Sequence, residues 1–248
     1  MHPVLDSLFF PRKIYQEPLD TDLFIYTDGF KLSCRLHIFS KKYDTILLFH
    51  GNGEIVSDYD YISGMYKGIR KNLIVFDYRG YGHSEGKPTA ESLFHDSESV
   101  FKYIESYLQD NSFSGRLFVL GRSLGSVPAL EIADTFPDQF SGIIIESGFC
   151  SESPVLEMLG IDTQSIEFLD SMGFNNLSKI SCYTGPILII HAENDEIVPF
   201  NQAKLMMDKS PSKNKKLLTV PGAGHNNIYQ FGAVEYFKAI KEFTEALI

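Results

Sequence analysis

The sequence predicts an α/β domain, a mostly parallel sheet with helices on both faces. Three observations carry this. Short continuous apolar runs recur along the chain. Helical patterns sit between them. No repeat, low-complexity tract or Pro-rich linker breaks the alternation. A strand covered on both faces reads as an unbroken apolar run, because neither side meets water. A chain of 248 residues suits one large domain, so a single domain over 1–248 is expected.

The first predicted strand is KLSCRLHIF at 31–39. Leu32, Cys34, Leu36 and Ile38 alternate onto one face, which marks a half-buried, antiparallel strand. TILLF at 45–49 is the first fully covered strand. A helix is predicted over 57–69, with Ile62, Met65, Tyr66 and Ile69 on one face. LIVF at 73–76 follows, then a helix over 90–108. Phe94, Val100, Phe101, Ile104 and Leu108 form its stripe, Thr89 its N-cap, and Glu91 stands in its first turn. The remaining strands are 116–121, 142–146, 186–192 and 216–220, and the remaining helices 124–135, 200–209 and 229–247. Residues 150–185 separate two strands by more than a crossover needs, and their apolar residues form no clean helical stripe. A small lid over a site at the strand ends is the favoured reading. The alternative is a crossover helix with a decorated loop.

Composition narrows the function. Lys+Arg 22 against Asp+Glu 32 gives a net charge of −10, which argues against a nucleic-acid partner. Three cysteines, Cys34, Cys150 and Cys182, make no disulfide framework and no zinc-ligand spacing. The N-terminal apolar patch is too short and too polar for a signal peptide, and no run approaches the ~20 apolar residues of a membrane span. A cytoplasmic setting is therefore expected. Oligomeric state is not legible.

The chemistry is concentrated in LFVLGRSLGSVPALEIA, from Leu117 onward. A strand runs into Gly121-Arg122-Ser123-Leu124-Gly125, and a helical pattern follows at once. A turn this tight strains its central residue and needs small neighbours two positions away. It lifts one hydroxyl above the sheet and sets amides beside it at a helix N-terminus. GxSxG alone occurs by chance in plain strand-to-helix turns. Strand, motif and helix in this order point to a nucleophile. Rival glycine motifs fail, since there is no GxxxxGK[ST] and Val56 occupies the third glycine position of a GxGxxG begun at Gly51.

A serine hydroxyl needs a base, and the base needs an orienting acid. Of the seven histidines, His225 lies in the glycine-rich loop VPGAGHNN after the last strand, where a side chain can turn over the sheet edge. ENDEIVP after the strand at 186–192 offers Glu193, Asp195 and Glu196, with Asp195 preferred. An oxyanion hole would use the amide of Leu124 and one from His50-Gly51-Asn52-Gly53, Asn52 first and Gly53 as alternative.

These residues, with DYRGYGHSEGKPT at 77–89, GRSLGS at 121–126 and ENDEIVP at 193–199, resemble the α/β-hydrolases, and within them the Bem46-like group that includes the alpha/beta hydrolase domain-containing 17 depalmitoylases. The resemblance implies a serine hydrolase with an eight-stranded, mostly parallel sheet, and it supports Ser123, Asp195 and His225 in their roles. It implies no cofactor and no metal. In DYRGYGHSEG the glycines and Ser84 are expected to serve a turn beside the site. The sequence shows neither the N-terminal anchor of many Bem46-like proteins nor the N-terminal cysteine cluster of the depalmitoylases, so a palmitoyl-protein substrate is not expected. The expected reaction is hydrolysis of a carboxylic ester or thioester of a small or lipid-like hydrophobic acyl group. The alternatives are a peptidase on the same triad and a non-catalytic ligand-binding protein on this fold.

Overall fold

The computed structural model describes residues 1–247. In chain order its elements are β1 (Asp22–Thr27), β2 (Phe30–His37), β3 (Asp44–Phe49), α1 (Ser63–Gly68), β4 (Lys71–Phe76), α2 (Ala90–Asp110), β5 (Leu117–Arg122), α3 (Ser126–Thr135), β6 (Ile143–Glu146), α4 (Ser153–Met158), α5 (Asn176–Cys182), β7 (Ile187–Ala192), α6 (Asn201–Lys209), β8 (Lys215–Val220) and α7 (Ile228–Glu245). The eight strands lie in the order β1-β2-β4-β3-β5-β6-β7-β8. β2 pairs antiparallel with both β1 and β4, and every other pair is parallel. The architecture is the α/β-hydrolase fold.

The continuous apolar runs have their cause in the two-sided core. Leu47, Phe49, Ile74, Val119, Ile145 and Ile189 face one buried cluster. Ile46, Leu48, Leu73, Val75, Leu120 and Ile190 face the other, where Tyr66 of α1 and Tyr236, Ile240 and Phe243 of α7 cover them. Residues one apart on a strand point to opposite faces, so every position is apolar.

Two elements differ from expectation. β1 is an additional edge strand, joined to β2 by Asp28-Gly29, both at positive φ (+49° and +77°). That is the backbone of a two-residue hairpin turn, and Asp-Gly is its sequence signal. The helix expected over 57–69 divides into a 3₁₀ turn at Val56–Tyr59 and the short α1. Ile62 and Tyr66 are buried, but Met65 is exposed. Gly64 and Gly68 supply little helix propensity to hold one long rod. The Thr89 cap forms as expected: its hydroxyl accepts the Ser92 amide at 3.0 Å.

Segment 150–185 holds two short helices and a 3₁₀ turn. α5 packs on α3 and α6 as the crossover helix. α4 and a 3₁₀ turn at Asp170–Met172 precede it. Glu152, at the start of α4, is 1% exposed and accepts the Phe174 amide at 3.0 Å, while its Oε2 has no partner. Burial pushes its carboxyl up to about 7. A raised carboxyl pKa favours the folded state's protonated form. The cost of burying the charge is therefore absent below the unfolded pKa near 4.5, grows through the interval, and is complete above about 7. Relative to a Glu152→Gln variant, the wild type should lose about 3 kcal/mol of stability between pH 4.5 and pH 8. Paired denaturant melts across that range check it, and a pH-independent difference would rule it out.

Candidate active site

The elbow forms where β5 gives way to α3. Ser123 adopts φ +51°, a conformation L-residues avoid. Its flanking glycines are dictated by space: a Cβ on Gly121 would meet Gly125 O at 2.2 Å, and one on Gly125 would meet Phe49 O at 1.9 Å. The strain lifts the hydroxyl to the carboxyl edge of the sheet.

The three residues expected to work together meet there. Ser123 Oγ lies 2.9 Å from His225 Nε2. His225 Nδ1 lies 2.9 and 2.8 Å from the two Asp195 oxygens. A carboxylate accepts, so Nδ1 carries the proton and Nε2 is free to accept from the serine. Asp195 Oδ1 is fixed by the amides of Ile197 (3.1 Å) and Val198 (2.7 Å). Burial acts to raise this carboxyl, but the hydrogen bond and charge of His225 and the Val198 amide outweigh it and hold the pKa below the usual carboxylate range. The three acids of 193–196 divide their work. Glu193 accepts the Gly222 amide, Glu196 accepts the main-chain amide of His225, and Asp195 takes the ring.

Asn52 and Leu124 line one cavity with Ser123 and His225. Gly53 does not line it. The Asn52 side chain is fully engaged, with Oδ1 accepting the Phe10 amide (2.8 Å) and Tyr81 hydroxyl (2.7 Å), and Nδ2 donating to Leu8 O. The cavity holds about 190 Å³. Leu8 and Phe10 form one wall, Val155, Met158 and Leu159 another, with Phe149 and Ile197 between. No carboxylate faces it among its lining residues.

Sequence reasoning passed over several of these groups. Leu8 and Phe10 come from an N-terminal strap, distant in sequence from everything they touch. His191, inside β7, is buried; its Nε2 stands 3.5 Å from Asp195 Oδ2 and meets Val198 O at 2.9 Å. The 77–89 loop packs as expected: Ser84 Oγ donates to Asp77 O, and Asp77 Oδ1 accepts the Val56 amide. Among the described residues no group of three or more His, Cys, Asp or Glu is placed to hold a metal, and no helix is long and apolar enough to cross a membrane.

The family model described as serine aminopeptidase, S33, matches residues 40–163. Human alpha/beta hydrolase domain-containing protein 17B is 30% identical over 204 residues, which is 81% of this chain and 66% of that protein. The 17C protein of Xenopus tropicalis is 30% identical over 80% of this chain and 61% of its own length. The chain thus spans about two thirds or less of these relatives. Among solved structures, an esterase of Pyrococcus furiosus superposes with TM-score 0.76 at 18% identity, over 96% of this chain and 99% of that one. Est1E from Butyrivibrio proteoclasticus with ferulic acid bound gives 0.75 at 22%, over 91% and 98%. With an elbow serine, a sheet-edge histidine and a shared fold already in place, these matches fix the lineage: the chain belongs to the α/β-hydrolase superfamily, in the group of the alpha/beta hydrolase domain-containing 17 proteins.

Proposed function

We propose that the protein is a serine hydrolase that cleaves a carboxylic ester or thioester carrying a hydrophobic acyl group. The observation that carries this is the Ser123–His225–Asp195 relay, at 2.9 and 2.8 Å, beneath an apolar cavity. Ser123 attacks the acyl carbonyl while His225 Nε2 takes its proton. The amides of Leu124 and Asn52 hold the oxyanion, each worth roughly 3–4 kcal/mol of barrier. His225 returns the proton to the leaving alcohol or thiol. Water then attacks the acyl-enzyme by the same path. Asp195 orients the imidazole and balances the imidazolium. The segment ahead of α5 acts as a lid through α4.

The cavity sets the acyl size. A cavity of about 190 Å³, lined by the exposed Met158 and Phe10, suits a short acyl chain. On p-nitrophenyl esters, kcat/KM should climb from acetate to hexanoate, by at most about fourfold per methylene, since a buried CH₂ contributes about 0.8 kcal/mol. It should level off beyond, where the chain passes Met158 and Phe10 into solvent. A profile flat from acetate to hexanoate would remove the acyl pocket from this reading.

A fluorophosphonate probe tests the nucleophile. Labelling of the wild type, absent in Ser123→Ala, supports the hydrolase. A folded wild type that does not label favours a non-catalytic binding protein. The name of the matching family keeps a peptidase in view. The lack of a carboxylate in the cavity, where a substrate amino terminus would sit, favours the ester. Peptide substrates run beside the esters decide between them.

A further inference from the structure

Arg122 is the residue between Gly121 and the nucleophile. Its side chain is buried, and its guanidinium is used on every side. Nε donates to Glu146 Oε1 at the end of β6 (3.1 Å). Nη1 pairs with Glu54 in the loop after β3. Nη2 donates both to the main-chain carbonyl of His225 and to Asn226 Oδ1, each at 3.1 Å. The two carboxylates are anchored in turn. Glu54 Oε2 accepts the Gly51 amide (2.8 Å) and the Tyr59 hydroxyl (2.7 Å), and Glu146 Oε2 accepts the Tyr236 hydroxyl (2.7 Å). One planar cation therefore joins the elbow, the loop of Asn52, the end of β6 and the loop of His225. It stands between the apolar cavity and a second, polar cavity of about 270 Å³ that Glu54, Glu146 and Asn226 also line.

A buried ion pair is poor evidence of stability, because well-packed apolar side chains often serve as well. What apolar groups cannot do is fix direction. The guanidinium presents several donors in a rigid fork, which a lysine does not reproduce. His225 lies in a loop between β8 and α7, with no ladder or helix bonds to hold it. Its main chain is tied at the carbonyl by Arg122 and at the amide by Glu196.

We propose that Arg122 is the positioning residue of this site: it locks the loop of His225 and the loop of Asn52 to the elbow of Ser123, so that base, oxyanion donor and nucleophile keep one geometry. The consequence for turnover rests on the serine-hydrolase reading, but the geometry does not. A misplacement of about 1 Å can cost on the order of 10²-fold in rate. Arg122→Met should thus lower kcat by roughly that factor with KM within about threefold and Arg122→Lys recovering part of the loss.

The test reads structure and turnover separately. In proton NMR, the His225 Nδ1 proton held by Asp195 should give a low-field resonance in the wild type, identified by its loss in His225→Gln. It should broaden into solvent exchange in Arg122→Met. If Arg122→Met keeps both that resonance and kcat within twofold, the proposal is overturned. If Arg122→Met does not fold, a double-mutant cycle on kcat decides, using Glu54→Gln and Asn226→Ala, which are linked through the guanidinium. The double variant should be about as slow as the slower single. Losses that simply multiply overturn the proposal. A wild type that shows the resonance but turns over no acyl substrate would sink the hydrolase reading alone, with the resonance in Arg122→Met still judging the geometry.

Discussion

Ser123→Ala is expected to abolish turnover of an activated short-chain ester, lowering kcat on the order of 10⁶-fold, with a melting temperature at or above that of the wild type. The hydroxyl is the atom that forms the bond, and an alanine carries the same Cβ at the +51° φ, so the backbone of the elbow is unchanged. His225→Ala should cost a similar factor, because an unactivated hydroxyl is hardly a nucleophile. Asp195→Asn should cost about 10⁴-fold: an amide in place of the acceptor favours the wrong tautomer of His225. Groups that act as one unit do not add, so Ser123→Ala with His225→Ala should be no slower than either alone. Steady-state kinetics on p-nitrophenyl butyrate measure all four. A product of independent losses, or a Ser123→Ala variant within tenfold of wild type, would dismantle the proposed mechanism.

The second large effect is on the fold of the elbow. Gly125→Ala adds one carbon where none fits, 1.9 Å from Phe49 O and 2.9 Å from His50 O. Both neighbours are backbone at the end of a central strand, so neither can rotate aside. Overpacking costs about 1–3 kcal/mol even where side chains can adjust, and here the strand itself must shift. A destabilisation at or beyond the upper end of that range is expected, with a fall of about 10²-fold or more in kcat as the Asn52 loop is displaced. Gly64 in α1 is the control: nothing lies within 4 Å of a Cβ there, and alanine in a helix gains up to about 1 kcal/mol. Thermal melts of both variants, with ester kinetics on the folded protein, check the pair. If Gly125→Ala and Gly64→Ala behave alike, the close approach does not limit the site.

Residues whose role is local were legible in the sequence. The strand, the two glycines and the helix around Ser123 state their own geometry, Asp195 stands just past the buried β7, and His225 lies in the glycine-rich loop after β8. Other features were hidden for definite reasons. β1 was the exception, legible in the Asp28-Gly29 turn and in the short apolar run LFIY at 23–26 before it. α5 was obscured because its inner face is partly polar: Asn176 and Lys179 are buried there, Asn176 donating to Phe149 O and Lys179 pairing with Glu131. No hydrophobic stripe marks such a helix. Arg122 looked like a spacer between glycine and serine, since its four partners lie far along the chain. That Asn52 lines the cavity and Gly53 does not could be read only from the cavity itself, whose lining includes residues some forty positions earlier.

Leu8 and Phe10 reach that cavity on main-chain bonds, the Leu8 carbonyl and Phe10 amide being held by the Asn52 side chain. Leu5, Leu8 and Phe9 also pack into the core, so the strap is held by side chains as well as by its main chain. In the proposed hydrolase the apolar lining comes from distant stretches, the strap at Leu8 and Phe10 and the residues Val155, Met158 and Leu159, none of which belongs to the triad. Phe10, half of it exposed and bonded through its main-chain amide alone, is the strap position where the cavity can be reshaped while the reacting atoms stay where they are, a handle for new substrate ranges.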